Sequence, residues 1–378
     1  MLICKHDECC GCSNCETICN QNAILMQLDD EGFIYPQIDD KKCIKCNACK
    51  YVCPVMNDLT KLKSNFAMNT YYAYLNNENE LACSSSGGVA SALSEVVIHN
   101  GGVVYGVAYD DGFNEVSVKR ATKLSELNKF KGSKYIQSYK KGIFKSVKND
   151  LEKHREVLYI GLPCEIAALK LYLKKDYDCL YLIDLVCHGP TSHYALNDYI
   201  NKFKRFNTKI ISFSMRYKKN NKWIPYYMHI LFDNEKEFME PFWGSDFGFI
   251  FGRFGRPSCY NCKFKESYHF SDLTIGDAWG TSLTELIGKN TGLSAVVVNS
   301  LKGERLLKTT KKLCLLNAKK SEILKGNPNL VQQREYSYER EYISYHLKRD
   351  GLKNTVKKLK PFKRRLMEKL SKLKQFFR

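Results

Sequence analysis

The stretch "REVLYIGLPCEIAALKLYL", residues 155–173, decides how this chain folds. "REVLYIG" reads as a buried strand, a short apolar run of the kind found inside parallel sheets. Pro163 then stands where the first turn of a helix tolerates a missing N–H, so "PCEIAALKLYL" reads as a helix. "CLYLIDLVC" (179–187) is a second strand, which makes the region an alternating α/β unit. Cys164 falls at the strand-to-helix turn, where free backbone N–H groups and the helix dipole favour a thiolate. Three roles are open to it: metal ligand, buried structural thiol, or nucleophile. A nucleophile needs a base, and His188 in "CHGP" is the only one nearby in sequence.

The same alternation extends outward from this unit. "TYYAYL" and "VVYGVAY" are strand-like, with "SSSGGVASALSEVVIHNGG" between them as a helix that is glycine-rich at both ends. Residues 209–240 carry the alternation of β-structure, and "SDLTIGDAWG" and "LSAVVVN" read as further strands. Beyond about residue 330 the chain is rich in Glu, Tyr, Lys and Arg and is expected to be helical.

With 378 residues the chain is long enough for two or three cores. Apolar residues make up 44% and charged residues 26%, a globular balance. Seventeen cysteines in a large chain that opens "MLICKHDECC", without a signal peptide, point to metal or redox centres in a reducing cytoplasm rather than disulfides. No run of eighteen apolar residues is present, so the expected location is cytoplasmic. The formal charge of +19 falls to roughly +13 if three clusters form, since each cluster with its four thiolates carries about −2.

Residues 1–58 contain an internal repeat. Cys9, Cys12, Cys15 and Cys19 recur 34 positions later as Cys43, Cys46, Cys49 and Cys53. Each run is C-x2-C-x2-C-x3-C, the two-cluster ferredoxin spacing in which the fourth cysteine of a run serves the other cluster. The expected sets are therefore Cys9, Cys12, Cys15 and Cys53 for one [4Fe-4S] cluster, and Cys43, Cys46, Cys49 and Cys19 for the second. Zinc sites use C-x2-C pairs rather than two such quartets. Asn20 replaces the proline that follows Cys53, a change in turn residue rather than in ligand. Cys4 and Cys10 are left over and read as non-ligand thiols. "NDLTKLKSN" then reads as a linker.

Six ordered motifs, "SSSGGVASAL", "KGSKYIQSY", "GLPCEIAAL", "DLVCHGP", "CYNCKF" and "SDLTIGDAWG", resemble the coenzyme F420 hydrogenase/dehydrogenase beta-subunit family over roughly residues 70–330. The resemblance implies FAD and a third [4Fe-4S] cluster on Cys164, Cys187, Cys259 and Cys262, which favours the ligand role for Cys164. With it, the helix-opening residues Ser85, Ser86, Gly87 and Gly88 and the loop Lys131, Gly132, Ser133 and Lys134 become expected flavin-phosphate contacts. Asp277 and Trp279 match a motif of the family and are expected to line the site. No catalytic acid or base is assigned beyond His188, for which a hydrogen bond near the cluster is the preferred role.

The last segment, 353–378, carries eleven Lys/Arg and one Glu. Phe362, Leu366, Leu370, Leu373 and Phe377 recur on one helical face, an arrangement suited to docking on anionic lipid. Nucleic acid is not an expected partner, because no recognition module accompanies the charge.

The expected fold is α+β: a ferredoxin-like domain at 1–58, an α/β flavin-binding region with a mixed sheet at 70–155 and 156–330, and a helical basic tail at 331–378. The expected function is an iron–sulfur flavoprotein oxidoreductase linking a ferredoxin-like donor or acceptor to a small-molecule, glycan or deazaflavin substrate. Surface-polysaccharide synthesis is the favoured setting, because the composition is rich in Lys, Asn, Tyr and Ile. Coenzyme F420 chemistry and a non-enzymatic electron relay are the alternatives.

Overall fold

The computed structural model describes residues 3–63, 68–204, 208–265, 269–281, 283 and 290–360. The N-terminal block contains α1 (Asn14–Ile18), β1 (Ile24–Leu28), β2 (Ile34–Ile38) and α2 (Ala48–Tyr51). Its repeat is one of backbone as well as of cysteines. Gly11 and Lys45 take left-handed φ of 63° and 56°, and Ser13 and Asn47 take 66° and 60°. Non-glycine residues adopt this conformation uncommonly. Its recurrence at the 34-residue offset shows that both runs turn the chain in the same way between cysteines.

The strands that follow are β3 (Asn69–Leu75), β4 (Val103–Tyr109), β5 (Val116–Ala121), β6 (Val157–Gly161), β7 (Leu180–Leu185), β8 (Ile210–Tyr217), β9 (Tyr227–Phe232), β10 (Glu237–Pro241), β11 (Leu273–Asp277), β12 (Ser294–Val298) and β13 (Leu313–Asn317). Eight of them form one mixed sheet in the order β13-β3-β12-β11-β7-β6-β4-β5. Its centre, β4-β6-β7-β11, is parallel, and antiparallel strands close both sides. The buried reading of "REVLYIG" follows from this position: Val157, Leu158 and Tyr159 are fully buried between β4 and β7. Because β4 pairs with β6, the stretches 70–155 and 156–330 build one sheet between them. A separate antiparallel sheet, β10-β9-β8, stands beside it.

The helices of this region are α3 (Glu78–Ala82), α4 (Val89–His99), α5 (Ile143–Glu152), α6 (Pro163–Leu173), α7 (His193–Asn201), α8 (Asp246–Arg253), α9 (Leu301–Thr309), α10 (Lys320–Gly326) and α11 (Arg340–Leu359). Helix α4 starts later than expected. Ser84–Gly88 form the turn before it, ending on Gly88 at φ 83°. Along α11, Leu352 and Val356 are buried in the aromatic core shared with α7 and α8, so the apolar side of 353–360 faces the protein. The apolar face expected at 362–377 lies outside the described residues. Among those described, no helix is long and apolar enough to cross a membrane.

Buried hydrogen bonds weld the N-terminal block to the large sheet. Asn14 Nδ2 donates to Val52 O at 2.7 Å and to Ala168 O of α6 at 2.8 Å. Gln137 Nε2 donates to the carbonyls of Cys10 and Gly11, both at 3.0 Å. Arg256 donates to Cys9 O at 2.7 Å and Ile34 O at 3.0 Å. On the other flank Arg340 pairs with Glu31 at 2.6 Å, and Tyr194 Oη donates to Asp29 O at 2.9 Å.

Candidate redox centre

The carboxyl ends of the parallel strands gather the predicted residues on one edge, where ligands collect in open α/β sheets. Cys164 lies in the first turn of α6, just beyond β6, and Cys187 lies two residues beyond β7. The turn at Cys164 is held from within. Glu165 accepts from Leu162 N at 3.1 Å and pairs with Lys140 at 2.7 Å, both side chains being almost wholly buried. Cys259 and Cys262 arrive from the loop after α8. Gly189 packs so closely on Cys259 that a side chain there would meet its Cβ and Sγ at 2.9 Å.

Cys187 neighbours Cys164, Cys259 and Cys262, and all four line one cavity of about 270 Å³. Cys10, read from sequence as a spare thiol, lines it too. Its thiol lies beside those of Cys164 and Cys12. Burial, then the nearby thiols Cys187 and Cys262, pushes Cys259 up to about 12. Burial likewise raises Cys262 to about 11. Thiols packed this way cannot all ionise unless a cation joins them. A cationic iron–sulfide core would meet that need.

The ferredoxin cysteines lie close to one another across the two runs. Cys15 neighbours Cys9 and Cys53, whereas Cys49 neighbours Cys46 and Cys19. Cys53 thus stands near Cys15 of the first run and Cys19 near Cys49 of the second, and Cys49 is also a neighbour of Cys15. Cys4, the other spare thiol, lies beside Cys53 and Cys9. Backbone N–H groups reach the sulfurs directly: Gly189 N to Cys187 Sγ at 3.2 Å and Ala23 N to Cys19 Sγ at 3.4 Å.

The two loops expected to hold a flavin do meet. Ser133 Oγ donates to Ser85 Oγ at 3.2 Å, and Arg216 donates to Ser85 O at 3.2 Å. Most of the side chains named for phosphate contact are nevertheless taken up by the protein. A Cβ on Gly87 would lie 2.0 Å from Ala73 O, and one on Gly88 would lie 2.2 Å from Leu75 Cδ1. These glycines therefore let the turn sit against β3. Ser86 Oγ donates to Leu293 O at 2.6 Å, and Lys134 Nζ donates to three carbonyls of its own loop, Phe130, Lys131 and Gly132. Lys131 and Gly132 are half-buried, and Gly132 has open space around its Cα. As a set, these side chains are turned to carbonyls of the protein and leave Lys131 and Gly132 as the open part of the loop. His188 is exposed, with Nδ1 accepting from Asn329 Nδ2 at 2.9 Å.

Comparison with known proteins matches residues 8–57 to a 4Fe-4S dicluster domain. Residues 154–322 match the family model for the C terminus of the coenzyme F420 hydrogenase/dehydrogenase beta subunit. This stretch is the C-terminal domain of that beta-subunit family. A curated relative from Methanosarcina mazei, the F subunit of its F(420)H(2) dehydrogenase, is 22% identical over 232 residues, covering 59% of this chain. The chain spans 65% of that relative's length. A chain in a solved structure of the F420-reducing [NiFe] hydrogenase complex from Methanosarcina barkeri aligns over 78% of this chain and 93% of its own, at 13% identity and a TM-score of 0.46.

The beta-subunit domain also presents residues that sequence reasoning passed over. Arg256, 1% exposed, lies against the Tyr35 ring at 3.9 Å and beside Cys9, Cys10 and Cys259, and its Nη2 has no hydrogen-bond partner among the described residues. Arg216 pairs with Asp277 at 2.9 Å between the rings of Tyr226 and Trp279. Lys218 Nζ ties Leu81, Ser86 and Thr291 through their carbonyls. An unpaired Lys or Arg in a strand carries no local mark of such a role. The arginine of "GRPSC" could have been noticed only from its closeness to Cys259.

Proposed function

We propose that this protein is an iron–sulfur electron-transfer oxidoreductase serving a deazaflavin of the coenzyme F420 type. The observation that carries the reading is the convergence of Cys164, Cys187, Cys259 and Cys262, from three separate segments, on one cavity beside the ferredoxin repeat. The names of the relatives favour the deazaflavin over a glycan, and no observation favours a role in surface polysaccharide. In the proposed assignment, Cys9, Cys12, Cys15 and Cys53 hold one [4Fe-4S] cluster, Cys43, Cys46, Cys49 and Cys19 a second, and Cys164, Cys187, Cys259 and Cys262 a third. When bound, such clusters supply one-electron transfer at potentials set by charge, hydrogen bonding and solvent exposure.

The chain's own residues supply those settings. Gly189 N and Ala23 N donate to ligand sulfurs, which favours extra negative charge on them. Arg256 brings a buried positive charge between the first and third thiol groups. Lys265 Nζ and Arg334 hold the carbonyls of Cys187 and of His188 and Gly189, fixing the loop that carries the second thiol of the third set. A deazaflavin exchanges electrons in pairs. The reading therefore includes FAD as a two-electron group, on residues other than the Ser85–Gly88 turn.

Anaerobic preparation tests the proposal. About twelve irons and as many sulfides per chain are expected, together with flavin and electron exchange with coenzyme F420. A colourless protein would refute it. About eight irons would remove the third centre, and full iron with no exchange would leave an electron relay.

A further inference from the structure

The 34-residue repeat gives the ferredoxin block two matching segments, and the described residues treat them unequally. In the first run, Gly11, Cys12, Ser13, Asn14 and Cys15 are buried. A Cβ on Gly11 would lie 2.1 Å from Gln137 Nε2, and Asn14 reaches Ala168 O of α6. The equivalent stretch of the second run is open: Ile44, Lys45, Cys46 and Asn47 are all exposed. Ile44 is 66% exposed, and Tyr51 at the end of α2 is 74% exposed. The residues also differ in kind, since Gly11 answers to Lys45 and Thr17 to Tyr51. Lys41 and Lys42 are exposed beside them, and Lys50 is half-exposed. Beneath this surface Cys49 is buried in one cluster with Cys12, Cys15 and Cys53, so the open segment leads inward to the first run.

We propose that Lys41, Lys42, Ile44, Lys45 and Tyr51, around Cys46, form the docking surface for a small acidic one-electron carrier protein of the ferredoxin type. The inference rests on the cluster assignment above and adds the place where electrons cross to another protein. A [4Fe-4S] cluster with its four thiolates carries about −2 and by itself repels an anionic carrier. The lysine ammonium groups offset that charge and attract carboxylates, which raises the rate of encounter. Of the nearby acids, Asp39 is already paired with Lys42 at 3.4 Å. A second copy of this chain is the poorer occupant, because a shared twofold face would set lysines against lysines. Ile44 and Tyr51 supply apolar contact inside the charged rim, and aromatic anchors of this kind carry much of an interface's binding energy. Each encounter moves one electron: the carrier is oxidised and the exposed centre reduced. Two encounters supply the pair that a deazaflavin takes up with two protons from solvent.

The test measures binding of an acidic [4Fe-4S] ferredoxin to the full chain by anaerobic calorimetry, and reduction of the chain by that ferredoxin in stopped flow. A triple variant, Lys41→Gln, Lys42→Gln and Lys45→Gln, is expected to bind about tenfold more weakly at low salt, with a smaller gap at high salt. Reduction should slow in parallel. A second triple, Lys308→Gln, Lys311→Gln and Lys319→Gln, removes the same charge from exposed positions on either side of β13 and should stay near wild type. Tyr51→Ser should weaken binding about tenfold at both salt concentrations. All variants are expected to keep the wild-type iron content. Equal losses in the two triples would overturn the proposal, since overall charge alone would then act. So would unchanged binding in the first triple and in Tyr51→Ser, or a wild-type dimer that Tyr51→Ser dissociates. Full iron in wild type with no ferredoxin binding overturns the docking surface alone, whereas iron-free wild type overturns the cluster assignment.

Discussion

Cys164 combines two local advantages, a helix N-terminus and a turn locked by the buried Lys140–Glu165 pair. Neither depends on its sulfur, so removal of the thiol should leave the turn intact. Cys164→Ala is expected to retain its far-UV circular dichroism while losing about four irons per chain. Unchanged iron with activity abolished would return Cys164 to the role of nucleophile. At the same scale Gly189 is as constrained as the thiol it touches. Its φ of 81° and its contact with Cys259 both exclude a side chain.

At the scale of elements, the edge strand β5 is bound to helix α5 by one ionic cluster. Arg120 makes two hydrogen bonds to Asp150, at 2.7 and 2.8 Å, and Tyr105 of β4 adds a third at 2.6 Å. Burial alone would raise the Asp150 carboxyl, but the Arg120 and Tyr105 hydrogen bonds outweigh it and hold it below the ordinary value. The folded state therefore binds its proton less readily than the unfolded chain. This contribution is fully present above the unfolded carboxyl pKa of about 4 and is lost as pH falls through the folded value. Asp150→Asn is expected to cost about 1.5–3 kcal/mol at pH 7, with a smaller gap from wild type below pH 4. Urea unfolding of both proteins at the two pH values checks this. A gap independent of pH would show that packing, not charge, links β5 to α5.

Over the whole molecule, the ferredoxin block is docked at two places: Arg256, Gln137 and Asn14 on one side, and Arg340 with Tyr194 on the other. Glu31 is the shared acceptor of the second side, taking both Arg340 nitrogens and Ser344 Oγ. Glu31→Gln removes the charge while sparing every cysteine. It should keep its iron and accelerate hydrogen exchange in the β1–β2 turn and around Arg340. Unaltered exchange at both places would mean that the first contact alone carries the docking.

Patterns read within about a dozen residues were legible in the chain itself. The doubled cysteine run, the strand 157–161 and the helix 163–173 are local matters of spacing, alternation and a first-turn proline. That Cys164, Cys187, Cys259 and Cys262 line one cavity was foreshadowed by resemblance, through the motifs around them. The expected flavin contacts fared differently, because a glycine's reason for being there depends on what approaches it. Around Gly87 that neighbour is the carbonyl of Ala73. The closeness of Cys10 to Cys164, the charge at Arg256 and the seam at Gln137 were decided by tertiary structure alone. Each joins residues more than a hundred positions apart, and such contacts arise only when separate elements pack. Periodicity records which face of an element is buried, and leaves open which element will cover it.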